Sequence, residues 1–359
     1  MNLTDLAETK LLNVLLGATA WSTKPTTLYI GLLTSSTEIA APSDTSAGTE
    51  LSGGGYARVE KAVGTTHWEQ SASLGNPVTN KTTIVFPTPT AVWGSATHWG
   101  IYDAASGGNL ILWGALPSPL TIGIGQSVSW AVGGFSFNIT SALGDWMTQA
   151  LLNYLFCGVA LPTIANHHYA LATGSSQSSI SGEPTIGTTG YARKKMDNLT
   201  SVYPAAVDGA KSNGALIQFE AVDIAVWNVG GFSRAAILSA GGIAIAASSI
   251  TNATPELLVT TGSAHRFITG DIVRVSNSGG ALPTGLAVNT DYYVDLVSST
   301  TFSLRKVSDN SVVAFTDAGT GTHTFTPQML WHWALDAVVS PGVGDQPQFS
   351  AGQLEFTLD

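Results

Sequence analysis

"LSGGGYARVEK" occupies residues 51–61 and "GTTGYARKK" residues 187–195, so a Gly-Tyr-Ala-Arg stretch recurs 135 positions on. Neither copy carries a nucleotide-binding or catalytic signature, and the recurrence points to a repeated scaffold. Working outward, "LLNVLLGATA" (11–20) answers "LLNYLFCGVA" (151–160), and "LYIGLLTSS" (28–36) answers "HYALATGSS" (168–176), both at an offset of 140. "AVWGSATHWGIYDAASGGNLI" from Ala91 answers "AVWNVGGFSRAAILSAGGIAI" from Ala225 at 134, matching Trp93 to Trp227. Past that point "WAL" (333–335) aligns with "GAL" (114–116) at 219, so 85 residues have been added to the second copy.

Each copy opens with one amphipathic helix. Leu6, Leu11, Val14 and Leu15 recur at helical spacing, Thr4 or Asp5 can cap the start, and Gly17 ends the run. In the second copy Asp145 precedes "WMTQALLNYLF" and Gly158 closes it. After each helix the chain has only strand grammar: "TLYIGLL", "YARVEKAV", "TTIVFP", "LILWGAL", "SVSWAV" and "FSFNIT" in the first copy, separated by Gly, Ser, Pro and Asn. The sequence therefore predicts a mainly β protein with two tandem antiparallel β-sandwich domains, each preceded by a short helix. The predicted boundaries are 1–142 for the first copy, 143–249 with 329–359 for the second, and 250–328 for a small all-β insert. Within the insert "IVRV", "YYVDLV", "FSLRKV" and "THTF" read as strands, and its ends should meet at a loop tip.

Charged residues make up 11% of the 359, against about 25% in an average soluble domain. With 10 Trp, 12 Phe and 9 Tyr beside so few charges, some apolar area is expected to be covered by other subunits, in a homo-oligomer or larger assembly. A net charge of -10 with only 14 scattered Lys and Arg argues against a nucleic-acid partner. Cys157, the single cysteine, permits neither an intrachain disulfide nor a thiolate cluster. The polar, acidic start excludes a secretory signal, and no apolar run approaches the roughly 20 residues of a membrane span. Assembly in a cytoplasm is expected, with no membrane insertion.

The stretches "ETKLLNVLLG", "LYIGLLTSS", "GTELSGGGYAR", "TIVFPTPTAVWGSATHWGIYDAASGGNLILWGAL" and "GGFSFNIT" together resemble bacteriophage tail fibre or neck proteins, well over residues 4–140 and weakly over the second copy. The insert resembles a β domain found inside phage tail proteins, through "HRFITGDIVRV", "LPTGL", "YYV" and "DAGTGTHT". The resemblance implies a non-enzymatic virion component of the neck, tail or appendage. Its partners would be other phage structural proteins of the connector, tail or capsid, with a host-surface glycan as a further partner and no cofactor. Two other readings are a capsid decoration protein and a glycan-binding receptor module.

Candidate assembly contacts are the helix stripe Leu6, Leu11, Val14 and Leu15, and the repeated pairs Tyr56/Arg58 and Tyr191/Arg193. The plainer reading of the pairs is packing at a sandwich edge, with Arg58 over the Tyr56 ring or paired with Glu60; the stripe fits either its own sandwich or a partner. Trp93, Trp99 and Trp113 with His98 and Tyr102 could form a sugar platform, but their strand context favours core. His167 and His168 are adjacent and would face opposite ways, so they cannot chelate one metal. Asp271, Asp291, Asp295, Asp309 and Asp317 lack calcium-loop spacing and read as turn formers. No Gly-x-Ser-x-Gly, His-Glu-x-x-His or phosphate-loop motif occurs.

Overall fold

The computed structural model describes all residues except 1, 35–48, 71–73, 140–141, 188–189, 224–226, 228–229, 254–255, 315–316 and 359. Parts of the matched stretches, Ser35, Ser36, Thr140, Ala225 and Val226 among them, lie outside the described residues. In the first copy the main sheet is antiparallel, in the order 2–3, 110–122, 94–102, 27–33, 59–62. The second copy repeats it as 329–339, 232–238, 166–172, 194–197, with Leu143 bridging to Trp331 where strand 2–3 lies in the first. A second layer of short pairs covers each sheet: 78–80 with 136–137 and 84–85 with 129–130, then 211–212 with 355–356 and 217–218 with 348–349.

A pair of asparagines that the sequence reading passed over holds these second layers. Asn80 donates to the carbonyls of Thr82 and Ala131 and accepts from Phe135 N; Asn213 donates to Ala215 and Ser350 and accepts from Leu354 N. Both are buried, and the amide side chain satisfies three backbone groups that the short strands leave open.

Helix α1 spans Asp5–Leu15 with Thr4 as its N-cap, and α2 spans Asp145–Leu152 with Gly144 in that place. α2 widens into a π-helical turn over Asn153–Cys157, which Gly158 closes at φ 72 with its N–H on Asn153 O. The two helices are exchanged at their ends. Leu16, at the end of α1, lines a small cavity with Ile237, Leu330 and Trp331 of the second copy. Its counterpart Phe156 stacks on Phe137 of the first copy at 4.1 Å and packs against Trp68 at 4.9 Å. Each exchanged end is also held by the other copy's backbone or side chains. Gly64 N donates to Phe156 O at 2.8 Å, while Asn198 Nδ2 donates to Leu15 O at 2.9 Å and its Oδ1 accepts from Gly17 N. Asn13 of α1 accepts from Ala206 N and from Lys211 Nζ. Through these contacts the buried apolar residues of both copies form one continuous core, from Leu3 to Leu358.

The repeat has a register that the sequence alignment misplaces by one residue. Ile30 pairs with Val59, and Tyr169 pairs with Lys194, the residue equivalent to Val59. The true offset at this strand is therefore 139 instead of 140, and because side chains alternate, a one-residue slip reverses every face. Tyr169 takes the inward place of Ile30, and His167 that of Leu28, while His168 takes the outward place of Tyr29. Fully buried, His167 meets Tyr203 Oη at 3.0 Å, which in turn meets Tyr169 Oη at 2.8 Å.

Burial, with a smaller contribution from His168, pushes the His167 imidazole down to about 3. The unfolded chain takes up this proton near pH 6.5, well before the folded one does, so the stability it confers is present above 6.5 and is lost on acidification toward 3. Unfolding free energies from urea titrations between pH 7 and 4 should fall on this account by an amount on the order of a few kcal/mol. His167→Leu, which copies the residue used at the same place in the first copy, should flatten that slope.

The insert is a closed six-stranded antiparallel barrel of strands 245–253, 256–261, 301–306, 291–298, 272–278 and 322–327, in that spatial order. Phe267, Phe302 and Phe325 fill it with edge-on contacts of 5.5 and 5.3 Å. It replaces the tip of one hairpin. Strands 232–238 and 329–339 pair up to Leu238 and Met329, where Ser239 N donates to Gln328 O; the equivalent hairpin in the first copy simply turns through Asp103 and Asn109.

Candidate functional site

Three glycines in succession, Gly53 to Gly55, hold φ of 74, 54 and 77, a run only glycine adopts without strain. They deliver Tyr56 and Arg58 to Glu50, and Arg58 does not pair with Glu60 or lie over Tyr56 as the sequence suggested. Its Nε and Nη2 make a bidentate pair with Glu50 at 2.8 and 2.7 Å, Nη1 donates to Ala104 O and Gly107 O, and the guanidinium lies 3.4 Å from the centroid of the Tyr102 ring. Glu60 is exposed, paired across the sheet with Tyr29. Tyr56 donates to Glu50 Oε1 and accepts from Leu32 N.

The second copy rebuilds the hydrogen bonds of this clasp. Arg193 Nε and Nη2 reach Glu183, each at 2.8 Å, Nη1 donates to Ala240 O and Gly242 O, and Tyr191 donates to Glu183 while accepting from Leu171 N. Tyr56 meets Trp93 edge-on at 5.1 Å, as Tyr191 meets Trp227 at 5.0 Å. Burial by itself would lower the Arg58 guanidinium, but the hydrogen bonds and charge of Glu50 outweigh it and raise it; Tyr102 is pushed up to about 12, chiefly by burial. These clasps tie the segment after the first sheet strand to the loop of the following hairpin. In the second copy that loop leads into the barrel.

Tyr191 and Arg193 are buried and Tyr56 and Arg58 half-buried, while Leu11 and Leu15 lie in the shared core with Leu6 and Val14 half-buried beside it. All eight are engaged within the chain. Trp93, Trp99 and Trp113 are core residues at 5 to 7% exposure, so they offer no sugar platform. Three of the five insert aspartates, Asp271, Asp309 and Asp317, do cap turns, at Ile268 N, Ser311 N and Gly319 N. Asp291 and Asp295 are instead ion-pair partners. Asp291 is bidentate with Arg274, Asp295 pairs with Arg305, and Asp271 is buried against His168 with Nε2 to Oδ1 at 2.8 Å. Asp271 Oδ2 also accepts from Gly241 N and Ile268 N, so one carboxylate fixes the barrel to the outward face of the second sheet.

A repeated feature that sequence reasoning missed is a solvent-exposed turn close to the glycine turn of each clasp. "GIGQ" at 123–126 and "GVGD" at 342–345 form the same reverse turn, with Gln126 N on Gly123 O and Asp345 N on Gly342 O. Gly125 and Gly344 supply the positive φ, and the side chains of Gln126 and Asp345 fold back onto the N–H of Gly123 and Gly342. The tip residues, Ile124 and Val343, are 68% and 60% exposed. Such a turn does not require an aliphatic residue at its tip, yet both copies place one there. The shared spacing of the two glycines was the available signal.

The paired helices, sheets, clasps and turns make each half a complete copy of one unit, and the same division appears in comparison with known families. The description "Podophage GP4 fiber I protein gp80" matches residues 2–138 and, separately, 142–275. The chain belongs to this family. It is a phage fibre structural protein, a component of the virion, carrying two successive family units; the second match runs on into the third strand of the barrel. No curated protein matches the chain.

Proposed function

We propose that this fibre protein is a non-enzymatic, oligomeric appendage of the neck or tail, which joins other structural proteins of the particle and presents its barrel toward the host surface. The observation that carries the proposal is the pair of exposed aliphatic tips, Ile124 and Val343, on equivalent turns of two family units with a thinly charged exterior. Exposed aliphatic side chains on a thinly charged exterior are what a subunit contact needs. With Leu11 and Leu15 of the helix stripe consumed by the core, these tips are among the exposed aliphatic side chains left for contacts, and they are the ones repeated in both units. The barrel hangs from a single hairpin and adds surface without disturbing the paired units.

The test is incorporation. Replacing Ile124 and Val343 together by Ser should change folding stability by no more than about 1 kcal/mol, about 0.5 for each, since both side chains are largely in water. The amount of the chain in purified virions should fall several-fold. Densitometry of the same preparations gives copy number: tens per particle fit an appendage, whereas hundreds would show a capsid-lattice protein and overturn the proposal.

A further inference from the structure

Along the seam between barrel and body lies an open trough made of two cavities, of about 510 and 930 Å³, which share Val307 and Ser308. Three parts of the chain build the larger one: Gln70 from the first copy, Gln149 and Asn153 from the second helix, and Asn289 and Thr290 from the barrel. Its walls are held in place. Trp146 Nε1 donates to Asp291 Oδ2 at 2.7 Å, Arg274 grips the same carboxylate, and in the smaller cavity the Tyr293 hydroxyl accepts from Thr163 N at 2.7 Å. A trough fixed before anything enters it spares a ligand the cost of ordering its site.

The lining selects among ligand classes. Arg274 and Arg305 are each matched by an aspartate, Glu69 pairs with Lys81, and the exposed Lys306 and Asp309 on the rim have opposite sign. The trough therefore has no excess of positive charge to hold a polyanion. Amide side chains donate and accept at once, as sugar hydroxyls do. The half-buried Tyr293 ring and Pro162 offer apolar surface to the C–H face of a pyranose. Volumes of this size at a domain seam are those of ligand sites, and an open trough suits a chain of sugars better than a single small molecule.

We infer that this trough binds a neutral oligosaccharide of the bacterial surface, an inference resting on the host-contact part of the function proposed above. The test applies the purified full-length chain to an array of O-antigen and capsular oligosaccharides, neutral and uronic-acid-containing, together with random peptides. At least one neutral oligosaccharide should bind, with less than about a two-fold loss between low and high salt. Ser308→Trp, at the exposed junction of the two cavities, should reduce that binding by at least about ten-fold while leaving the melting curve unchanged. Gln149→Ala, a smaller change on a wall, should weaken it by a lesser factor. Failure of every neutral glycan to bind, binding confined to uronates or peptides, or wild-type binding by the Ser308 variant would each overturn the inference. A chain counted at appendage copy number in virions that ignores all the glycans would sink the trough alone. Absence from the virion would sink the assembly proposal whatever the array shows.

Discussion

Phe156→Ala should destabilise the whole chain by about 3–5 kcal/mol, the usual range for emptying a fully buried phenylalanine site. The residue belongs to the second copy, but the cavity opens in the first, between Phe137 and Trp68. If the two copies share one core, urea unfolding followed by tryptophan fluorescence will remain a single transition and move as a whole to lower denaturant. Two separated transitions, or a loss confined to the second copy, would show that the exchanged helix ends do not couple the halves. Calorimetry checks the same point, because a coupled core gives equal calorimetric and van't Hoff enthalpies.

Asp271→Ala should cost a similar amount, about 3–5 kcal/mol, because it strips a buried histidine of its partner and leaves two backbone N–H groups without acceptors. Its signature differs from that of Phe156→Ala. With the barrel loosened from the second sheet, trypsin should cut after the exposed Arg266 at concentrations that leave the parent intact. Adding His168→Ala to the variant should recover part of the loss, since no polar ring then remains unmatched; strictly additive effects would argue that the pair is uncoupled. Asp271→Asn, similar in shape and still able to accept on one atom, should be the mildest of the series.

The scaffold was largely legible because it is written twice. Repeats such as Trp93/Trp227 and Tyr56/Tyr191 are visible by inspection, and the strands between them alternate. Register at 166–172 was not legible, since Tyr29 and Tyr169 match by letter while backbone pairing, invisible in sequence, puts Tyr169 where Ile30 belongs. The first two barrel strands escaped notice as well. "IAASSITNA" is mostly small or polar, and "ELLVTT" carries its apolar residues in one run, so neither shows the apolar alternation of a strand. Arg58 was assigned a neighbour two residues away, but its partner is Glu50, reached only because three glycines turn the chain back. The candidate site was least readable of all. Gln70, Gln149 and Thr290 come from three distant segments, and nothing local in any of them announces that they meet.

The crossing over of the two helix ends has a bearing on how one barrel came to be tolerated. Separate identical polypeptides that swapped helices in this way would have to find each other in solution, and any appended module would appear on both. A covalent tether makes the encounter intramolecular, at an effective concentration on the order of millimolar, so completion of the fold no longer depends on dilution. It also breaks the obligation of twofold equality: one side can acquire a large ornament while the other keeps a plain seven-residue bend at 103–109.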